Sequence, residues 1–312
     1  MTSDPTSFER VASIDIGTNT LLLLIAKVDE GELKPLVEME TVVRLGEGLQ
    51  KNGVLSQEAM KRGLQTLSQY LERCQTMGVQ KIFAVGTSVL REAKNSGDFL
   101  NMIEEKLSLC IEVISGEEEA QLSFLAVIRD LEETEKLILM IDVGGGSTEF
   151  ILGKGDQIIQ WVSLPLGSVR FTEQFLRSDP VQESEWEEME KEIRKLFVNL
   201  PHSREPFSMV AVGGTATTLA SVEQGLKGFI PEKIHHFDLK MEALKSQLLL
   251  YRSKTIDERK KISGLHTTRA DVILAGGAIL YKAMEEVNCP SVLISCHGVR
   301  YGVLYQRLNL KN

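Results

Sequence analysis

The sequence has few cysteines and no long apolar run, the two features that would indicate an oxidising compartment or a membrane. It contains only four cysteines, Cys74, Cys110, Cys289 and Cys296, and their spacing fits no metal or redox motif, which favours reduced thiols. Its longest apolar run, Leu21 to Ala26, is too short to cross a bilayer, and no cleavable apolar segment opens the chain. The sequence therefore predicts a cytoplasmic protein with no membrane partner.

Positive charge is also scarce, since 35 lysines and arginines stand against 44 acidic residues, a net charge of −9. A nucleic-acid surface needs a basic stripe to displace counterions, so we expect no nucleic-acid partner. An acidic protein also repels a polyanionic substrate at long range, so local cations would have to hold one. The arginines available for this are Arg91, Arg170, Arg269 and Arg300.

The commonest catalytic signatures are missing. There is no Walker lysine motif, no GxGxxG in a dinucleotide-binding context and no GxSxG nucleophile elbow. The chain contains an internal repeat instead. VASIDIGTNTLLLLIAKVDEG, with Asp15, resembles ILMIDVGGGSTEFILGKGDQ, with Asp142, at an offset of 127 residues, and an AVG triplet ends at Gly86 and again, 127 residues later, at Gly213. A fixed offset indicates a duplicated unit, and two units facing each other would form a cleft.

The repeated turns predict a phosphate ligand. Glycine permits the tight backbone and close approach that let successive N–H groups point at one anion. Hydroxyls at Thr18, Thr20, Ser147 and Thr148 would add donors, and the aspartates could hold a hard cation such as Mg²⁺. A third turn opens a predicted helix, whose N-terminus favours anions. The predicted phosphate-binding residues are Asp15, Gly17, Thr18 and Asn19, then Gly144, Gly145, Gly146, Ser147 and Thr148, then Gly213, Gly214 and Thr215.

Patterning predicts the same order of elements in each half. Strands are expected over 11–16, 21–28, 32–39, 81–85 and 111–114, then 137–143, 149–153, 157–163 and 207–212. Helices are expected from the Ser56 N-cap to Gly78 and from about Ser96, then over 184–199, 215–224, 240–253, 268–286 and 299–308. A hinge is expected near 115–135.

One carboxylate in the segment SGEEEA could do chemistry. Ser115 and Glu118 form a capping-box pattern, and the helix dipole accounts for acidic residues in a first turn. Glu119 is turned about 100° from Glu118, so it can face inward and act as the base that orients an attacking water. His235 and His236 have no partner at ligand spacing, which leaves a metal role there unsupported.

The chain resembles the exopolyphosphatase and guanosine pentaphosphate phosphohydrolase family, within the actin, Hsp70 and sugar-kinase superfamily. The resemblance runs in order from about Val11 to Leu304. It is carried by the segments DIGTNT, AVGTSVLREAKN, ISGEEEA, DVGGGSTE, SLPLGSVRFTEQF, AVGGTATTLA, RADVILAGGAIL and SCHGVRYGVL. It implies an α/β fold of two duplicated ribonuclease H-like domains flanking an interdomain cleft, one over 1–124 with a helix at about 299–312, the other over 125–298.

The resemblance also implies roles. Glu119 matches the catalytic glutamate, Arg91 the arginine that faces the phosphate, and Asp142 and Glu149 the acidic positions associated with Mg²⁺. The glycine turns match the family's phosphate loops. Two departures are the apolar stretch 21–24 after the first loop, where many members have a basic or polar side chain, and Tyr301, where glutamate is common. Longer members also carry a C-terminal helical domain.

The expected function is removal of the terminal phosphate from inorganic polyphosphate or guanosine pentaphosphate, with Mg²⁺ or another divalent cation. The sequence does not separate these substrates, because both present the same terminal anhydride. Two alternative functions are those of an ATP-dependent small-molecule kinase of the same superfamily and of a non-catalytic alarmone or polyphosphate sensor. A homodimer is compatible with the sequence, which leaves the oligomeric state open.

Overall fold

The computed structural model describes residues 9–131 and 135–310, without the side chain of Asn199. The chain divides into two units, the first made of residues 1–129 and 299–312 and the second of residues 130–298. The boundary predicted from the sequence lies after residue 124, five residues earlier. Among the described residues, no helix combines the length and the apolar character that a membrane span requires.

The first unit is an α/β unit built on one sheet. Its strands are Arg10–Ile16 (β1), Thr20–Asp29 (β2), Glu32–Val42 (β3), Lys81–Gly86 (β4) and Glu112–Val113 (β5). Its helices are Leu49–Asn52 (α1), Gln57–Thr76 (α2), Ser88–Glu92 (α3), Ser96–Leu107 (α4) and Gly116–Asp130 (α5), whose last residue belongs to the second unit. A further helix, Val299–Arg307, packs on β1 and is numbered last.

The second unit repeats this plan with additions. Its strands are Leu137–Val143 (β6), Thr148–Lys154 (β7), Gln157–Leu164 (β8), Phe207–Val212 (β9), Asp238–Lys240 (β10) and Ser291–Ile294 (β11). Its helices are Ser168–Phe175 (α6), Glu183–Leu196 (α7), Gly213–Glu223 (α8), Pro231–Ile234 (α9), Met241–Arg252 (α10), Ile256–Arg259 (α11) and Ile273–Glu286 (α12), with 3₁₀ turns at Phe197–Asn199 and Thr267–Arg269. The last helix of the chain is then α13 (Val299–Arg307).

Both sheets are mixed, and their central strands are arranged in the same way. Their strand orders are β3-β2-β1-β4-β5 and β10-β11-β9-β6-β7-β8. In each sheet the first three strands of the unit form an antiparallel meander, and the fourth strand, β4 or β9, joins the first strand, β1 or β6, in parallel. The predicted α/β class and duplication are confirmed by this shared order.

Register repeats as well as order. Asp15 pairs with Leu22 across β1 and β2, and Asp142 pairs with Glu149 across β6 and β7, each at the 127-residue offset. β1 is buried on both faces, since six of its seven residues are buried. Ala12, Ile14 and Ile16 lie in a cluster with residues of α2 and α4, and Val11 lies in a cluster with residues of α13. The register therefore brings the end of the first strand and the turn that follows it to the same place in each unit.

Helix ends follow the predicted chemistry in the first unit. The Ser56 hydroxyl accepts a hydrogen bond from the Ala59 N–H at 3.1 Å and so caps α2. The Ser115 hydroxyl accepts from the Glu118 N–H at 3.1 Å, and the Glu118 carboxylate accepts from the Ser115 N–H at 2.9 Å. These bonds lower the pKa of Glu118. The capping box is confirmed.

The second unit departs from the sequence prediction at several elements. The strands β10 and β11 and the helix α6 were not predicted, because two of them have only three or four residues and α6 lies in a stretch interrupted by glycine and proline. The helix predicted over 268–286 was wrong at its start, since Thr267–Arg269 forms a 3₁₀ turn and α12 begins at Ile273.

Candidate functional site

The segment that follows β3 holds the first glycine turn by hydrogen bonds to its carbonyl groups, and these bonds set the direction of its N–H groups. Within the turn, the Gly17 N–H donates to the Thr20 carbonyl at 3.0 Å. The Thr18 carbonyl accepts from the Gly46 N–H at 2.9 Å, and the Asn19 carbonyl accepts from the N–H groups of residues 43 and 44. Because C=O and N–H point in opposite directions in a trans peptide, the N–H of Asn19 points away from that segment.

Asn19 has a second property that indicates a ligand. It is 5% exposed, and neither polar atom of its side-chain amide has a hydrogen-bond partner among the described residues. A buried amide without partners costs free energy, and such a group in a native fold calls for an explanation. A bound anion at the turn would supply the acceptor that this amide needs.

The second glycine turn has the same closing bond and a stronger brace. The Gly144 N–H donates to the Ser147 carbonyl at 3.0 Å, the counterpart of the bond in the first unit at the 127-residue offset. The carbonyls of Gly144, Gly145 and Gly146 are held by α6, through the N–H groups of residues 168–170 and Nε of Arg170. The N–H groups of Gly145, Gly146 and Ser147 therefore point away from α6, as in a backbone nest for an anion.

Two of the predicted phosphate-binding residues donate their hydroxyl protons to carbonyl groups of their own unit. The Thr148 hydroxyl donates to the Leu166 carbonyl at 2.5 Å and is fully buried. The Thr215 hydroxyl donates to the Val143 carbonyl at 3.2 Å. Since a hydroxyl has one proton to donate, these side chains brace their turns. The Thr148 hydroxyl is thus engaged within its own unit, and a role for Thr148 at phosphate stays a prediction.

The first unit places Glu119 beside Arg91. An Arg91 guanidinium nitrogen lies 2.8 Å from a Glu119 carboxylate oxygen and 2.8 Å from the Ile114 carbonyl oxygen. Glu119 is 8% exposed, whereas Glu117 and Glu118 of the same helical turn are exposed. The inward orientation inferred from the helical period is confirmed, and Arg91, from α3, fixes the direction of the carboxylate.

The second unit places two carboxylates and a hydroxyl in one row across its sheet. Asp142 on β6 pairs with Glu149 on β7, and Glu149 pairs with Ser163 on β8. Side chains directly opposite each other share a face and lie about 5 Å apart, where like charges repel. Glu149 is only 2% exposed, so water screens this repulsion weakly. The donor set fits a hard divalent cation, which would offset the repulsion.

The third turn meets this row at Asp142. Gly213 has a φ of 85°, and a Cβ there would lie 2.6 Å from an Asp142 carboxylate oxygen. A Cβ at Gly214 would lie 2.0 Å from the guanidinium of Arg269, which is 6% exposed. Glycine is needed at both positions because carboxylate and guanidinium occupy the space that a side chain would take. This turn opens α8, as predicted.

The four arginines considered from the sequence separate into two kinds. Arg91, Arg170 and Arg269 each lie at a residue of their own unit's predicted site, through Glu119, Gly146 and Gly214 respectively. Arg300 is 6% exposed and forms an ion pair with Glu38 in the first unit. The sequence offers Arg269 as one of four candidate arginines but does not show its partner, because it lies 55 residues after Gly214.

The second unit also contains a histidine cluster that spacing alone does not reveal. His235, His236 and His297 surround the carboxylate of Asp130, at nitrogen to oxygen distances of 3.0, 2.8 and 3.4 Å. The imidazoles stack, with the His235 ring centroid 4.0 Å from that of His236 and 4.6 Å from that of His297. The statement that the pair has no partner at ligand spacing was wrong, because Asp130 and His297 are distant only in sequence.

Hydrogen bonding decides which nitrogen of neutral His235 carries the proton. The Cys296 N–H donates to Nδ1 of His235 at 3.1 Å, so neutral His235 carries its proton on Nε2 and donates it to Asp130. A metal-bound imidazole needs the opposite arrangement, with its other nitrogen donating. Burial raises the pKa of Asp130, and the hydrogen bonds and charges of the imidazoles outweigh burial and lower it. The cluster is therefore a hydrogen-bonded carboxylate.

The fold and the glycine turns define a class of proteins in which two related α/β units each carry phosphate-type loops. The sequence profile of the Ppx/GppA phosphatase family matches residues 24–311, so the chain belongs to that family. A crystal structure of the Aquifex aeolicus family member is 33% identical, with a TM-score of 0.81, over 97% of this chain and 98% of that one. An exopolyphosphatase from Cytophaga hutchinsonii is 28% identical, with a TM-score of 0.89, over 96% and 98%.

A longer relative has the same sequence identity to this chain as the Aquifex aeolicus protein. The bifunctional 3-dehydroquinate synthase/phosphatase of Fusobacterium nucleatum is 33% identical over 96% of this chain. The chain spans 47% of the length of that relative. At greater distance, a protein described as nucleoside triphosphate hydrolases from Neospora caninum, 14% identical with a TM-score of 0.53, shares the fold alone.

Proposed function

We propose that the chain is a phosphoanhydride hydrolase that releases the terminal phosphate of inorganic polyphosphate or guanosine pentaphosphate. The observation that carries this proposal is the pair of glycine turns, each closed by the same hydrogen bond, with N–H groups turned away from a bracing segment. The family supports hydrolysis of a phosphate ester or anhydride, and the similarity to an exopolyphosphatase favours an anhydride.

Each unit would contribute a different part of the chemistry. In the first unit, Arg91 would hold an equatorial oxygen of the terminal phosphoryl group, and Glu119 would orient and deprotonate the attacking water. In the second, Asp142 and Glu149 would hold Mg²⁺, which supplies charge stabilisation when bound. The interdomain cleft in which these parts would meet stays a prediction.

The ion pair between Arg91 and Glu119 suits this division of work. An arginine that contacts both the Ile114 carbonyl and the carboxylate is fixed at two points, so it holds Glu119 in one orientation. A phosphoryl oxygen would bind the same guanidinium, which has five donors in a planar fork. Water held by Glu119 would then lie beside the phosphorus that it attacks, as an in-line displacement requires.

A matched pair of variants tests the assigned base. We expect Glu119→Gln to lower kcat about 100-fold or more, because the amide cannot accept the proton of water. Glu117→Gln, in the same helical turn but exposed, should leave kcat unchanged. The measurement is phosphate release with short polyphosphate, long polyphosphate, guanosine pentaphosphate and ATP, each with and without a chelator. Near-normal turnover of Glu119→Gln would remove Glu119 from the mechanism.

The same assay separates the substrates and the other two functions. The ratio of kcat/KM values between polyphosphate and guanosine pentaphosphate names the substrate. Phosphate transfer from ATP to a small-molecule acceptor, in place of release to water, would identify a kinase. Binding of polyphosphate without phosphate release in the presence of Mg²⁺ would identify a sensor, and either result would overturn the proposal.

A further inference from the structure

Ser163 lies beside the acidic row of the second unit and is not among the site residues predicted from the sequence. Its hydroxyl lies 2.7 Å from a carboxylate oxygen of Glu149, and the two residues are direct partners across β7 and β8. A serine hydroxyl is a donor and a carboxylate is only an acceptor, so Ser163 donates to Glu149. The row of residues 142, 149 and 163 thus ends in a hydroxyl that acts on the more buried of two carboxylates.

Burial makes this one hydrogen bond important for where the carboxylate points. Glu149 is 2% exposed, and its side chain has rotatable bonds that would otherwise let the carboxylate turn. A buried carboxylate must be met by donors or by a cation, since its desolvation is otherwise too costly. The bond from Ser163 fixes one oxygen of Glu149 and so helps to orient the carboxylate beside Asp142.

The position of Ser163 in the chain adds to this argument. It begins the segment Ser163-Leu164-Pro165-Leu166-Gly167, whose later residues brace the second glycine turn. The Leu166 carbonyl accepts from Thr148, and a Cβ at Gly167 would lie 2.4 Å from the Gly145 carbonyl oxygen. One segment of chain therefore supports both the turn and the carboxylate, and Ser163 is the residue of this segment that donates to Glu149.

We propose that Ser163 is a positioning residue for the divalent-cation site of the second unit, acting through Glu149. This inference rests on the proposed function, because that function assigns the cation to Asp142 and Glu149. Hydrogen bonds to ligating carboxylates are typically worth 10- to 100-fold in metal affinity or activity. Ser163 would set the affinity for the cation, and the turnover of the loaded enzyme would change much less.

Mn²⁺ serves as the probe, because its free concentration can be followed by electron paramagnetic resonance without any turnover. We expect Ser163→Ala to weaken Mn²⁺ binding about 10-fold or more, and Ser163→Thr, which keeps the hydroxyl, to retain affinity near that of the wild type. Ser208→Ala, an exposed serine on β9, is the matched control and should bind Mn²⁺ normally. Raising Mg²⁺ in the phosphate-release assay should restore most of the kcat of Ser163→Ala.

A second variant keeps the test decisive if Ser163→Ala folds poorly. Ser163→Cys has nearly the same shape but a weak donor, so it should also bind Mn²⁺ weakly while unfolding near the wild-type temperature. Normal Mn²⁺ binding by Ser163→Ala or Ser163→Cys would overturn the inference about Ser163.

Glu149→Gln distinguishes failure of this inference from failure of the proposed function. If Glu149→Gln loses Mn²⁺ binding while Ser163→Ala keeps it, the cation site stands and Ser163 has no role in it. If Glu149→Gln binds Mn²⁺ as the wild type does, the cation site itself is wrongly assigned and both proposals fail.

Discussion

The two units have the same turn, but the residue beside it is apolar in the first unit and acidic in the second. Both close the turn with one hydrogen bond, from Gly17 to Thr20 and from Gly144 to Ser147. Beside the first turn the cross-strand partner of Asp15 is Leu22, whereas beside the second the partner of Asp142 is Glu149. The backbone turn was thus kept in both copies, while a pair of opposed carboxylates beside it is present in one.

The helices that follow the fourth strand of each unit, α3 and α8, also differ in their side chains. After β4, the short helix α3 carries Arg91, and the residue at the same offset in α8 is Thr218. The second unit brings a guanidinium to its turn by another route, with Arg269 against Gly214. A duplicated backbone can therefore keep its shape while its side chains diverge, since shape depends on register and the chemistry on single residues.

Making the second unit resemble the first should have the largest effect. Glu149→Leu places at β7 the residue type that β2 has at the same offset. We expect phosphate release to fall by about 100-fold or more, because the cation loses a carboxylate while the strand keeps an apolar residue that suits burial. The reverse substitution, Leu22→Glu, should not restore activity in that background. Retention of Mg²⁺-dependent turnover by Glu149→Leu would remove the functional difference between the units.

The segments that support the two turns differ in rigidity, and substitution of a glycine in each segment tests this difference. A Cβ at Gly167 would meet the backbone of Gly145 and Gly146 within 2.6 Å, whereas a Cβ at Gly46 would meet a Thr18 side-chain methyl at 2.4 Å. We expect Gly167→Ala to cost about 1–3 kcal/mol of unfolding free energy and most of the activity, and Gly46→Ala to cost less, because a side chain can move. Urea unfolding and phosphate release measure both.

Gly97→Ala is the control for these two variants. A Cβ at Gly97 would meet no atom within 4 Å, and the residue lies in the helix α4. This substitution should stabilise the protein by about 0.5–1 kcal/mol and leave activity unchanged. Equal losses for the Gly167 and Gly46 variants would show that both turns are braced with the same rigidity.

The histidine cluster should make the second unit sensitive to acid. The pKa of Asp130 is lowered in the folded state, so its contribution to stability is present above the unfolded pKa, about 3.9, and is lost as pH falls through the folded value. Asp130→Asn should cost about 1–3 kcal/mol at pH 7, where the charged hydrogen bonds are intact. Its unfolding free energy should then fall less steeply than that of the wild type below pH 4. Parallel acid limbs would contradict this account.

The smallest effect should come from the residue after the second turn. Thr148 occupies the offset position of Leu21, and its hydroxyl donates to the Leu166 carbonyl. Thr148→Val keeps the shape and should cost about 1 kcal/mol of unfolding free energy, with Mn²⁺ affinity within twofold of the wild type. A loss of Mn²⁺ or polyphosphate affinity larger than the loss of stability would return Thr148 to the ligand contacts.

The sequence by itself determined whatever depends on period, offset and local bonding. The 127-residue repeat predicted the same order of elements in each half, and the helical period predicted that Glu119 faces inward while its neighbours face solvent. The Ser115 capping box needed only a three-residue spacing. These predictions succeed because hydrogen bonds and burial over a few residues follow from the backbone geometry.

Only the tertiary structure decided which distant side chains share a site. Ser163 reaches Glu149, Arg269 lies against Gly214, and three histidines surround Asp130, at sequence separations from 14 to 167 residues that no periodicity encodes. The short strands β10 and β11 likewise form only because a sheet edge is present to pair with them. Such contacts depend on register and packing, in which the free energy of the whole unit selects the partner of each residue.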